Sequence, residues 1–262
     1  MIFNVCSGQA ARPIFEITVD GVTYTFDGQT AITTDSFLIE TKGTYDWRMK
    51  IMQSKTVTIS MLAFNMTRPI DIALVGRGGD GGNGSVFGGD KWQDWTACGG
   101  GGGGGGEVKN ITEQQFAAGS TYTLCTSGST YIKENDENKW TCNNGARGGN
   151  ANANGWHRGA GGANGSNTGK GGTGALHYYS GSGGGNGADG YYVFGDSTFD
   201  GIQYGPCGGG GGAAEYGGGN EGRTRGAPGG GGHGGLGFDS GHGFAGQSSG
   251  VDGIIWIKTT TW

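Results

Sequence analysis

Proline is nearly absent. The chain of 262 residues has four, and only Pro206 and Pro228 lie in its glycine-rich second half. That argues against a collagen triple helix, which couples glycine at every third place with abundant proline. Charge is sparse too, at 15% of residues with a net charge of −5, and the basic residues are scattered. A nucleic-acid partner, which asks for a clustered basic face, is not expected. No apolar run approaches the ~18 residues of a membrane span, so no membrane insertion is expected. Met1 to Cys6 has neither a charged start nor a long apolar stretch, so no secretory signal is expected. The five cysteines, Cys6, Cys98, Cys125, Cys142 and Cys207, are odd in number and contain no CxxC pair. A disulfide scaffold or zinc ribbon is therefore disfavoured, and buried free thiols are the simpler expectation.

Catalytic patterns are missing as well. His157, His177, His233 and His242 show no ligand spacing, so no metal site is expected. The nearest approach to a phosphate-binding loop, Gly165 to Gly171, is one residue short and has Gly171 where a Ser or Thr would hold magnesium. No Ser/His/Asp order and no convergent pair of carboxylates stands out. Neither an enzyme nor a cofactor is expected.

What the chain does have is glycine, 65 residues of it, and only Gly8, Gly21, Gly28 and Gly43 precede Gly76. The rest come in runs such as Gly99–Gly106 and Gly208–Gly212. Three triplets in phase, Gly76-Arg77-Gly78, Gly79-Asp80-Gly81 and Gly82-Asn83-Gly84, open the region. The same beat returns at Gly169–Gly174 and at Gly226, Gly229, Gly232 and Gly235. Period three is neither the helix beat of 3.6 nor the strand beat of 2. It is the beat of an extended left-handed helix without internal hydrogen bonds, whose N–H and C=O groups must pair with neighbours. The runs are read as polyglycine II helices packed side by side. Aromatic residues punctuate them throughout, which a flexible linker would lack.

Residues 1–75 read as β-structure. Ile14–Val19 alternates, Asp20-Gly21 signals a hairpin, and Val22–Phe26 alternates again. Phe37–Glu40, Trp47–Met52, Thr56–Phe64 and Ile70–Val75 are further β-rich runs. Later strands are expected near 107–127 and 251–262; the terminal run Gly253–Lys258 has no way to bury its side chains alone and must return to the first sheet. The charged stretch Lys133–Lys139 reads as a solvated loop. The fold class expected is all-β plus polyglycine II, with little or no α-helix. A β-sandwich attachment domain, 1–75 and its later strands, carries a large inserted bundle of polyglycine II helices, 76–250.

A rigid, nearly featureless bundle makes a platform for the loops at its ends. The candidate recognition loops run from Phe87 to Trp95, Trp156 to Arg158, Leu176 to Tyr179, Tyr191 to Phe199 and Phe238 to Phe244. Their candidate binding residues are Phe87, Trp92, Trp95, Trp156, His157, Arg158, His177, Tyr178, Tyr179, Tyr191, Tyr192, Phe194, Phe199, Phe238, His242 and Phe244. Tyr, Trp and Arg are the types enriched at binding hot spots. Part of this set must also serve to plug the bundle.

The triplets Gly76–Gly84, the runs Gly99–Gly106 and Gly208–Gly212, and the segment Gly226–Gly237, alternating with short aromatic loops, resemble the tip adhesins of the long tail fibres of T-even-like bacteriophages. The resemblance covers roughly residues 76–250. It implies a layered polyglycine II domain whose variable distal loops bind a bacterial outer-membrane protein or lipopolysaccharide. It also implies attachment to a trimeric tail-fibre protein, a place at the fibre tip of the virion, and synthesis in the host cytoplasm. Ile2–Val75 is β-rich where those adhesins have a helical, tryptophan-bearing attachment segment. A structural glycine-rich fibre or surface component without receptor specificity is the alternative expectation.

Overall fold

The structure is a computed structural model, and it describes residues 13–43, 45–62, 68–87, 96–152, 174, 176–177, 188–208, 213–214, 227–232, 237–238 and 248–262. Two six-stranded antiparallel sheets dominate it, and no α-helix occurs among the described residues. The first seven strands are β1 (Phe15–Val19), β2 (Val22–Phe26), β3 (Ile32–Thr33), β4 (Phe37–Thr41), β5 (Trp47–Ile51), β6 (Thr56–Met61) and β7 (Ile70–Val75). Short strands β8 (Ser85–Phe87) and β9 (Thr96–Cys98) follow, then β10 (Val108–Gln114), β11 (Thr121–Cys125), β12 (Thr130–Glu134) and β13 (Glu137–Cys142). The remainder are β14 (Leu176–His177), β15 (Tyr191–Tyr192), β16 (Gln203–Tyr204), β17 (Ala213–Ala214), β18 (Gly237–Phe238) and β19 (Ile255–Thr259). One sheet has the order β13-β12-β11-β6-β1-β2 and the other β10-β7-β19-β5-β4-β3.

Alternation builds these sheets. In β1, β5 and β6 every second residue is buried, and the buried residues of both sheets form one cluster that includes Phe15, Ile17, Phe37, Met49, Ile59, Ile72, Leu124 and Ile257. Phe15, Phe26 and Trp47 meet across it with ring centroids 5.0 to 5.7 Å apart. The hairpin at Asp20-Gly21 has positive φ at both central residues (50° and 79°), as a two-residue turn between twisted strands requires. The terminal run does return: β19 lies between β7 and β5 and pairs with both.

The charged stretch at Lys133–Lys139 is not a loop but part of a hairpin, β12–β13, reversing at Asn135 and Asp136. Its alternation is carried by Thr130 and Ile132, buried, and by Trp140, which packs against Phe116. The charges flank the turn, Lys133 and Glu134 on β12 and Glu137 and Lys139 on the edge strand β13, with Glu134 accepting from Tyr122 and pairing with Lys139, and this conceals the strand signal.

β7 continues without a break into residues 76–84, and there the hydrogen-bond pattern changes period. Val75, Gly78 and Gly81 donate their N–H groups to Ile254, Val251 and Ser248. Gly76, Gly79 and Gly82 donate to Glu107, Gly104 and Gly101, at 2.7 to 2.8 Å. The carbonyls of Arg77, Asp80 and Asn83 accept from Gly145, Gly148 and Ala151, each at 2.8 Å. Successive residues thus serve three neighbouring segments in rotation, and the Gly79 carbonyl accepts from the Gly232 N–H of a fourth. Segment 101–107 behaves alike: Gly101, Gly104 and Glu107 donate to Gly149, Ala146 and Asn143, while Gly103 and Gly106 donate to Gly232 and Gly229.

The glycines here are required for space rather than for φ. A Cβ on Gly79 would lie 2.1 Å from the Ala146 oxygen, on Gly103 2.0 Å from the Gly79 oxygen, and on Gly148 2.1 Å from the Gly101 oxygen. None of these three has a positive φ. The polar triplet centres line the outside. There the side-chain oxygens of Asn144 and Asn150 accept from the N–H groups of Arg77 and Asn83, and Asp80 bonds the Gly250 N–H and the Arg77 guanidinium.

Candidate functional site

At the end of the glycine segments opposite β7 and β10 lies a group of very short strands. β8 and β9 pair antiparallel, with Phe87 opposite Thr96. β14 adds to β9, placing His177 opposite Ala97. β17 and β18 pair in parallel, Ala214 with Phe238, and pack beside β8, β9 and β14. The chain positions of Phe87, His177 and Phe238, far apart in sequence, are therefore gathered at one end. The expected recognition residues Trp92, Trp95, Trp156, His157, Arg158, Tyr178, Tyr179, His242 and Phe244 lie outside the described residues.

Tyr191–Phe199 goes elsewhere. It forms a strap, 188–204, across the outer face of the sheet that contains β7 and β19. β15 pairs with β16, and Val193–Gly195 between them is a tight turn with Phe194 and Gly195 at positive φ (57° and 68°). Val193 and Tyr204 are fully buried against Ala73, Val75, Ile254 and Trp256. Phe194 is half-buried, and its N–H donates to the Asn110 side chain at 2.9 Å. Phe199 packs edge-on against Trp256, centroids 5.0 Å apart, and against Phe194 at 4.9 Å. The Trp256 indole N–H donates to the Tyr204 hydroxyl at 3.3 Å, and that hydroxyl in turn donates to Asp200. Burial, reinforced by Asp200, pushes the Tyr204 hydroxyl far above its ordinary range. Phe194 and Phe199 thus serve packing, while Tyr192 is half-buried and Tyr191 remains 39% exposed.

Arg48 is the strap's anchor. Its guanidinium donates to the Phe199 carbonyl at 2.9 Å and pairs with Glu40 at 2.5 Å. It also stands 4.9 to 5.4 Å from the ring centroids of Phe199, Trp256 and Trp262. Beside it, burial lowers the Lys50 pKa, with Asp200 opposing and Arg48 adding to the shift. Replacing Arg48 with lysine keeps the charge but loses the planar, multiply bonded head. The strap is expected to loosen by about 1 to 2 kcal/mol from one charged hydrogen bond and its ring contacts. Amide exchange confined to 191–204 is the measurement; unchanged exchange there would remove Arg48 from this role.

The sequence did hold a signal for the strap. Ile72 and Leu74 of β7 lie on one face and Ala73 and Val75 on the other, all buried, and a strand end apolar on both faces needs cover on both. Four cysteines, Cys98, Cys125, Cys142 and Cys207, are free and buried. Cys207, just before a glycine run, accepts the Gly105 N–H at its sulfur, 3.3 Å away. Burial pushes the Cys142 thiol up to about 12. Among the described residues no group of three His, Cys, Asp or Glu side chains is placed to hold a metal ion. No helix among them is long and apolar enough to cross a membrane. Comparison with protein-family models, curated proteins and solved structures found no match to this chain.

Proposed function

We propose that this chain is a bacteriophage tail-fibre receptor-binding protein, an adhesin that recognises an outer-membrane protein or lipopolysaccharide on a bacterial surface. In this reading the two large sheets form a β-sandwich that docks to a trimeric fibre protein. The three-period segments form an inserted bundle of polyglycine II helices, and the virion carries the whole at a fibre tip. No catalytic step belongs to it. The observation that carries the reading is the gathering of β8, β9, β14, β17 and β18 at one end, because the segments that follow Phe87, His177 and Phe238 all depart from it. Those segments hold Trp92 and Trp95, Tyr178 and Tyr179, and His242 and Phe244, side chains of the hot-spot kind. A run such as 76–84 spans roughly 28 Å at about 3.1 Å per residue, which holds the loops well clear of the sheets. The strap aromatics Phe194 and Phe199 drop out of the recognition set.

Replacing 88–95, 178–187 and 239–247 one at a time by Gly-Ser segments of equal length is expected to abolish adsorption to host cells and to purified outer-membrane vesicles. The melting temperature should not change. Full adsorption by all three variants would refute the assignment. Large assemblies of the purified chain with its loops shielded from protease would favour a structural fibre component instead.

A further inference from the structure

We propose that β2 is a docking edge for a second copy of this chain, each β2 pairing antiparallel with its counterpart about a two-fold axis through Tyr24. Among the described residues the two sheets have four edge strands, and three of them carry devices that discourage pairing. β13 bears Glu137 and Lys139, and its partner strand has a register shift at Ile132 and Lys133. β10 bears Lys109 and a bulge between Ile111 and Gln114, and its Asn110 is engaged by the strap. β3 is two residues long. Charge, bulges and brevity are the usual protections of an edge. β2 has none of these. Its sequence, Val22-Thr23-Tyr24-Thr25-Phe26, is made wholly of strand-favouring residues, with no charge and no proline, and pairs with β1 in unbroken register.

The hairpin turn determines which backbone groups are free. A two-residue turn makes Val19 and Val22 a pair that exchanges both hydrogen bonds, so Tyr24 and Phe26 also bond to β1. The N–H and C=O groups of Thr23 and Thr25 then face away from the sheet, and no backbone partner meets them among the described residues. Val22 is 52% exposed.

The strand is complementary to itself. With Tyr24 opposite the second copy's Tyr24, Thr23 stands opposite the other Thr25, and the outward groups of both exchange their bonds. Val22 falls opposite Phe26, so apolar residues share one face and threonines the other. Threonine pairs across strands are among the favourable ones. Asp20 falls opposite Gly28 and Asp27 opposite Gly21, so no like charges meet directly. The Asp27 carboxylate is in any case turned onto the N–H groups of its own Gln29 and Thr30. This is the self-matching required of an isologous interface, and it favours a second copy over an unrelated strand. One strand pair buries little surface, so the dimer should be weak and concentration-dependent. The pairing stands independently of the receptor-binding reading.

Sedimentation velocity from micromolar to millimolar protein is expected to show a reversible monomer–dimer equilibrium. Thr23→Lys with Thr25→Lys, both on the outward face, should leave a monomer at every concentration with an unchanged melting temperature. In a Cys6→Ser background, Thr23→Cys mixed with Thr25→Cys should yield a disulfide-linked dimer on oxidation, and neither variant alone should. The expected separation of a hydrogen-bonded pair, about 5.5 Å between Cα atoms, suits a disulfide. A wild-type chain that stays monomeric overturns the proposal. So does a lysine variant that dimerises equally, or slow exchange at Thr23 and Thr25 in dilute monomer, which would mean the chain covers its own edge.

Discussion

Gly103→Ala is expected to cost on the order of 4 kcal/mol, although it adds a single methyl group in a chain with 65 glycines. Its Cβ would lie 2.0 Å from the Gly79 oxygen, 2.6 Å from the Gly79 carbon and 2.7 Å from the Asp80 oxygen. All three are backbone atoms, so no flexible side chain is there to swing aside. Segment 76–84 must move, and the bonds from Gly79 to Gly104 and from Gly232 to Gly79 lengthen with it. Overpacking alone typically costs about 1 to 3 kcal/mol, and each buried backbone group left unbonded adds about as much again. Gly119→Ala is the control. Nothing lies within 4 Å of its Cβ position, but its φ is +75°, so only the left-handed penalty of about 1 to 2 kcal/mol applies. Denaturant unfolding of the two variants separates contact from conformation. Equal costs would mean that the glycine segments are not in contact as described.

Removal of Gly253–Trp262 is expected to abolish the cooperative transition altogether. β19 stands between β7 and β5, so its loss divides one sheet into two fragments. Ile255 and Ile257, both fully buried, leave the shared core, and Trp256 leaves the strap without its floor. Thr259 is lost as the partner of Asp46 and of the Trp47 N–H. The milder Ile257→Ala should cost about 2 to 5 kcal/mol, as large-to-small core substitutions do. A truncated chain that melts like the full one would contradict this placement of β19.

The strands that alternate strictly were legible in the sequence. β1, β2 and β6 show one apolar face, and the Asp-Gly turn between β1 and β2 needs positive φ. The return of Gly253–Lys258 was legible because four consecutive apolar β-formers, Ile254 to Ile257, cannot remain alone. β12–β13 was obscured, since Lys133, Glu134, Glu137 and Lys139, two half-buried and two exposed, outnumber the residues that carry the pattern. The period of three could be read from Gly76–Gly84, but not its consequence that each segment serves several others in rotation, because that depends on which segments become neighbours. The strap was the chief surprise. Phe194 and Phe199 look in sequence like the other aromatics of the region, and only the face that β19 presents, with Trp256 on it, assigns them to packing. The gathering of Phe87, His177 and Phe238 has no local sequence signal at all. It follows from the segments running side by side.

Hydrogen exchange of the amides in 99–106 tests most directly whether the glycine-rich half is a built scaffold. Gly101 and Gly104 donate their N–H groups to the Gly149 and Ala146 carbonyls, and Gly103 and Gly106 to those of Gly232 and Gly229, at 2.7 to 2.9 Å. They should exchange as slowly as those of β7 and β10, the strands into which the array is continuous, and should be released together with them in denaturant. Exchange at the rate of an unstructured glycine chain, with β7 still protected, would contradict the account.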